Sequence, residues 1–145
     1  MSQPTASQER APEFAGYFTG LAQGQLRFPR CAACTRFHWY PMRLCPHCQS
    51  PDIHWHRVSG RGTLFSWTTV RHPFDPKLAT QVPYIVGLVT FADAPGIRLV
   101  TTIIDAPPGG LAIGLPVEPV FRAGLRFAAE VDEVTLCFRP ALSST

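Results

Sequence analysis

Four cysteines stand in two close pairs, Cys31-Ala-Ala-Cys34 and Cys45-Pro-His-Cys48, with ten residues between the pairs. Two C-x2-C units at this interval have the spacing of a four-thiolate metal site. Each pair can curl its backbone into a knuckle that aims two sulfurs at one point. Two facing knuckles then close a tetrahedron. Zn2+ suits this ligand set because it binds thiolates well and has no d-electron preference of geometry. A shell filled by four sulfurs leaves no position for a substrate. The metal expected at Cys31, Cys34, Cys45 and Cys48 is therefore structural.

Other uses of the same cysteines are weaker. Cys45-Pro46-His47-Cys48 alone would match an oxidising dithiol at a helix N-terminus. Pro51 follows too closely for that helix, and the first pair would be left without a role. An iron-tetrathiolate carrier uses the same ligands, and spacing does not separate iron from zinc. Disulfides require an oxidising compartment. Residues 1–10 are polar and contain no apolar segment of the kind a signal peptide needs, so a cytoplasmic location is expected. His38, His47, His54 and His56 are spare donors beside a site that is already full, and are expected at the surface or at an interface. Cys137, in the apolar run Val134-Thr-Leu-Cys-Phe138, reads as a buried, inert thiol.

No catalytic constellation accompanies the metal motif. Asp105, Glu118, Asp132 and Glu133 have no motif spacing, and no G-x-S-x-G elbow occurs. His72, in Arg71-His-Pro-Phe74, has no nameable partner for acid–base work.

The 145 residues suffice for one modest core, or for a small core plus a metal-stapled subdomain. Charged residues make up 16% of the chain, against an average near ~25%. A small protein with so few charges is expected to have part of its surface covered by a partner. The net charge of +3 comes from twelve arginines and a single lysine, Lys77. Arginine favours bidentate contacts to phosphate or carboxylate. A coding bias that raises Arg, Ala and Pro together accounts for it equally well. No apolar run approaches the ~20 residues that span a bilayer, so no membrane association is expected.

Several elements must position these groups. Residues 1–11 are polar, without periodicity, and read as a disordered tail. Phe14, Tyr17, Phe18 and Leu21 recur at helical spacing, predicting an amphipathic helix over 12–25 with Pro12 in its first turn and Gly24 as its cap. Gly16 and Gly20 weaken it by ~1 kcal/mol each relative to alanine, so it must dock on its own domain or on another subunit. Residues 26–58 read as a ribbon pinned by metal, with short strands entering and leaving the knuckles. Gly60-Arg-Gly62 marks a boundary. Strands are predicted at 63–70, 84–91, 98–104, 116–121 and 134–139, with turns at 93–96 and 107–110 and a proline-bearing loop at 71–83. The expected fold is mainly β: a helix, a zinc ribbon, then a five-stranded antiparallel barrel of OB type over 59–140, and a tail at 141–145. Phe65 and Trp67 lie two apart and are expected on one face of their strand, with at least one of them turned into the core.

Taken together the residues resemble a known family. They are Tyr17-Phe18-x-Gly20-Leu21-x-x-Gly24-x-Leu26, Arg30-Cys31-x-x-Cys34, Pro41, Cys45-Pro46-x-Cys48, Trp55, Ser59-Gly-Arg-Gly-Thr63, Pro83-Tyr84, Ile113-Gly-Leu-Pro-Val117 and Phe138-Arg-Pro140. This is similar to the DUF35 family of acyl-CoA-associated proteins, a rubredoxin-like zinc ribbon followed by an OB fold. The resemblance runs from about Phe14 to Pro140.

The resemblance implies a non-catalytic accessory subunit. Its partners would be thiolase-type enzymes, 3-hydroxy-3-methylglutaryl-CoA synthases or hotdog-fold enoyl-CoA hydratases of acyl-CoA and lipid metabolism. The four cysteines match the family's metal ligands position by position. Coenzyme A carries phosphates and an adenine, so Arg61, Arg71 and Arg98 with Trp67 are the candidate contacts for an acyl-CoA. The alternative is a single-stranded nucleic-acid binder that uses the OB face. A net charge of +3 with one lysine is a weak footprint for nucleic acid and disfavours it.

Overall fold

Helical spacing of Phe14, Tyr17, Phe18 and Leu21 sets the first element. A 3-10 turn, Pro12–Phe14, leads into helix α1, Ala15–Ala22. The helix ends on Gly24, whose φ of 69° is the left-handed conformation that only glycine adopts without cost. There the Gly24 N–H donates to the Leu21 carbonyl at 3.0 Å and the Gln25 N–H to the Gly20 carbonyl at 2.8 Å. These two bonds satisfy carbonyls that the helix end would otherwise orphan. The structure, a computed structural model, describes residues 12–74, 76, 79–107, 109–123 and 134–141. The expected tail 1–11, Lys77, Asp132, Glu133 and residues 142–145 lie outside these.

The chain divides into two compact units at Ser59–Gly60, with the strand ends at 121–123 and 134–135 falling to the first. In the first unit α1 docks in cis. A Cβ at Gly16 would overlap the Trp55 indole, and one at Gly20 would lie 2.8 Å from the Gln25 carbonyl oxygen. The two glycines that weaken the helix are thus the ones that let it lie close on the ribbon. Phe14 and Tyr17 meet the Trp39 ring at 5.8 and 5.0 Å between centroids. Strands β1 (Leu26–Cys31) and β2 (Ile53–Val58) pair antiparallel, from Leu26 opposite Val58 to Cys31 opposite Ile53. Leu21, Leu26, Phe28 and Val58 supply the buried apolar side chains of this small unit.

In the second unit β3 (Gly62–Val70), β4 (Tyr84–Phe91), β5 (Ala94–Ile103), β6 (Pro116–Ala123) and β7 (Val134–Pro140) close into a barrel of order β3-β4-β5-β7-β6. The fold is mostly β, and this closed five-stranded barrel is OB-like. One seam departs from the antiparallel expectation: β5 and β7 run parallel, with Thr102 opposite Cys137 and Ile103 opposite Phe138. Five strands in a closed ring cannot alternate direction all the way round, so one parallel pair is obligatory. Leu64, Val89, Ile97, Val117 and Phe138 are fully buried at its centre. Cys137 is buried as expected, and Glu118, which has no motif context in the sequence, pairs with Arg139 at 2.7 Å.

Two local features differ from the sequence-based expectation. The turn expected over 93–96 is a two-residue turn at 92–93, and β5 already begins at Ala94, opposite Phe91. Thr90 then pairs with Arg98, so residues 95–97 bulge out of register, with Gly96 at a φ of 89°. A second bulge lies in β3, where Leu64 pairs with Val89 but Ser66 with Leu88, leaving Phe65 as the extra residue.

Candidate functional site

The two cysteine pairs build the same local structure twice. The Cys31 N–H donates to the Arg36 carbonyl at 2.9 Å and the Thr35 N–H to the Cys31 carbonyl at 2.8 Å. In the second knuckle the Cys45 N–H donates to the Ser50 carbonyl at 2.8 Å and the Gln49 N–H to the Cys45 carbonyl at 2.9 Å. Each turn is completed by a residue with positive φ directly after its second cysteine, Thr35 at 64° and Gln49 at 66°. Strand β1 delivers Cys31, and the Ala32 N–H bonds the Asp52 carbonyl just before β2, at 2.8 Å.

This arrangement brings all four predicted sulfurs within 4.8 Å of one another. Cys31 lies 3.6 Å from Cys48, and Cys34 lies 3.6 Å from Cys45. A tetrahedron of Zn–S bonds of ~2.3 Å has S–S edges of about 3.8 Å, so the cage fits the ion. The electrostatics point the same way. The Cys34 N–H bonds the Cys31 sulfur at 3.4 Å and, as the largest influence, brings that thiol down to about 7. At Cys48 the Ser50 N–H acts to lower the pKa, but removal from water and the sulfurs of Cys31, Cys34 and Cys45 prevail and raise it to about 12. Four thiolates in this space need a cation among them. A four-sulfur shell would supply a cross-link between the knuckles and leave no open coordination position.

The four residues singled out for an acyl-CoA are not brought to one place. Trp67 on β3 and Arg71 just after it line a groove of about 480 Å³ together with Thr69, Pro83, Ile85, Ala106, Pro107, Gly109 and Leu111. Arg98 sits instead with its guanidinium 4.4 Å from the centroid of Phe65. Arg61 lies in the link ahead of β3 and lines neither feature. The β3 bulge is the cause. Strand partners project to one side of a sheet, so Trp67 shares a row with its partner Gly87, whose missing side chain would meet buried Leu64 and Ile103. Phe65, the unpaired residue of the bulge, meets Arg98 instead. The expectation that Phe65 and Trp67 share a face is thereby corrected. Phe65 is 43% exposed and Trp67 36%, and Leu64 is the core residue of this stretch.

His38 corrects a second expectation. It is not at the surface but only 5% exposed, and neither ring nitrogen has a hydrogen-bond partner among the described residues. Burial, with a smaller contribution from nearby His47, holds its pKa below the ordinary histidine value of 6.5. His47, His54 and His56 are exposed as expected.

Family comparisons agree with this geometry. Residues 18–54 match the model described as "ChsH2, rubredoxin-like zinc ribbon domain", and residues 55–122 match "ChsH2, C-terminal OB-fold domain". A "DUF35 domain-containing scaffold protein" of Pyrococcus furiosus is 32% identical over 111 residues, covering 72% of this chain and 76% of that protein. The chain belongs to the DUF35 family. A "Probable enoyl-CoA hydratase alpha subunit" of Thermomonospora curvata is 36% identical over 129 residues, 88% of this DUF35 chain. The chain spans 37% of the length of that relative. The solved structure described as "Ltp2-ChsH2(DUF35) aldolase" superposes with a TM-score of 0.78 at 31% identity, covering 97% of this chain and 100% of that one.

Within this DUF35 chain the sequence locates the sulfurs but misses the residues that shape their knuckles. Thr35 and Gln49 follow Cys34 and Cys48 at equivalent positions, and that repetition is the signal that could have marked them. Among the described residues no helix is long and apolar enough to cross a membrane.

Proposed function

We propose that this chain is a non-catalytic accessory subunit of an acyl-CoA-processing enzyme, and that Cys31, Cys34, Cys45 and Cys48 hold a structural Zn2+ that lets its ribbon fold. The partner class is a thiolase-like enzyme, a 3-hydroxy-3-methylglutaryl-CoA synthase-like enzyme or a hotdog-fold hydratase. The observation that carries this reading is the end-to-end match to the DUF35 chain of a structure described as an aldolase with Ltp2. The hydratase alpha subunit and the scaffold protein among its relatives support the same class. Exposed Tyr40, Met42 and Leu44 between the two cysteine pairs, and Phe65 and Val100 on the barrel, supply apolar surface suited to a protein partner.

Tagged chain captured from its native host, followed by mass spectrometry of what is retained, tests the proposal. Recovery of a thiolase-type enzyme or a hydratase is expected. That enzyme should lose activity or assembly when this chain is withheld. Retention of nucleic acid alone, or acyl-CoA turnover by the isolated chain, overturns the reading. Direct contact with the ligand is the finer part of the proposal. The groove beside Trp67 and Arg71 offers an indole face and a guanidinium for the nucleotide end of an acyl-CoA. Isothermal titration with coenzyme A, with and without the recovered partner, checks it, and heat in neither state removes it.

A further inference from the structure

We infer that the ribbon carries a separate site for a small phosphate-bearing molecule, on the face of the β1–β2 sheet beside the first knuckle. A groove of about 310 Å³ opens there, lined by Arg30, Cys31, Ala32, Thr35, His54 and His56. The strand register explains why these polar groups converge. Arg30 lies opposite His54 and Phe28 opposite His56, so Arg30, His54 and His56 project from one face of the sheet.

Each of the three is anchored on one side and unspent on the other. The Arg30 Nε donates to the Thr35 carbonyl at 3.1 Å, and its guanidinium lies 5.7 Å from the Phe37 ring centroid. Its two Nη groups have no protein partner among the described residues. Phe37 in turn meets the His56 ring edge-on at 5.6 Å, and neither nitrogen of that ring has a protein hydrogen-bond partner among the described residues. His54 donates its Nε2–H to Asp52 at 2.7 Å, so its Nδ1 donates to an anion only when the ring is protonated, and the donors available in the neutral state are the Arg30 Nη groups and one nitrogen of His56. A guanidinium held by one bond and one ring loses little freedom when it binds. Donors converging from two strands match a tetrahedral oxyanion better than a planar carboxylate. The volume holds a phosphate with an attached ring and is too small for a peptide helix. Asp52, the carboxylate that reaches His54, is already committed to it. This inference does not rest on the accessory-subunit reading.

The test uses the full-length, zinc-loaded chain. Inorganic phosphate is titrated at constant pH and constant ionic strength, with sodium chloride as the balancing salt, while the ring-proton resonances of the histidines are followed. Saturable shifts of His54 and His56 are expected, with His72 unmoved. Arg30→Gln should weaken binding about tenfold or more, as expected for loss of a charged hydrogen-bonding group. Arg30→Lys should recover only part of it, because the fork is gone. Zinc content, measured on every variant, reports whether the first knuckle survives. Should Arg30→Gln lose its metal, His56→Gln decides the matter and is expected to weaken phosphate binding with zinc retained. Shifts that chloride reproduces, shifts that never saturate, or binding unchanged in a zinc-loaded Arg30 or His56 variant would overturn the site.

Discussion

The four sulfurs are the part of the centre that sequence alone makes legible, because ligand spacing is a local property of the chain. Cys45→Ser removes a buried corner of the cage. It should drop zinc below one per chain by elemental analysis and cost the ribbon most of its stability, since metal binding and folding are linked. Thr35 and Gln49 hold positive φ at a cost of about 1 kcal/mol each. Gln49→Gly should therefore raise the midpoint of thermal unfolding, and an unchanged or lower midpoint would show that the turn is not strained. The burial of His38 is not legible in the sequence, because a polar side chain among aromatic neighbours gives no sign of which way it points. In the folded ribbon it resists protonation, whereas the unfolded chain binds the proton at its ordinary 6.5. Stability is thus unaffected well above that value and declines as pH falls through it. His38→Leu should remove part of that decline and, by deleting two buried nitrogens that have no partner among the described residues, add about 1 kcal/mol. Unfolding curves of both proteins at matched zinc loading, from neutral to mildly acidic pH, measure the difference.

At the level of elements, strand existence was legible and strand register was not. Runs such as Tyr84–Phe91 announce themselves by β-branched and aromatic residues between turn signals. The bulge at Phe65 does not, because an inserted residue changes which side chains are partners without changing composition. That single slip separates Phe65 from Trp67 and sets Arg98 apart from Trp67 and Arg71. The helix offers the opposite lesson. Its glycines look like weaknesses until Trp55 is seen beneath Gly16. Gly16→Ala would gain ~1 kcal/mol in an isolated helix, but overpacking against a ring costs ~1–3 kcal/mol. The variant should be less stable, and hydrogen exchange at α1 should rise. A more stable Gly16→Ala protein would mean that the helix is not seated on Trp55.

For the whole chain, each unit has its own buried residues, and among the described residues the cluster of four sulfurs lies in the first. Chelation should therefore abolish one calorimetric transition and leave the barrel's transition in place, whereas loss of both would show that the barrel cannot fold without the ribbon. The ring of five strands has one more consequence. Among the described residues two of its seams are short: β3 meets β6 at Gly62 and Thr63, and β5 meets β7 at Thr102 and Ile103. The β3–β4 and β4–β5 ladders run for seven register pairs each. The short seams, and not those ladders, are where the ring would open first.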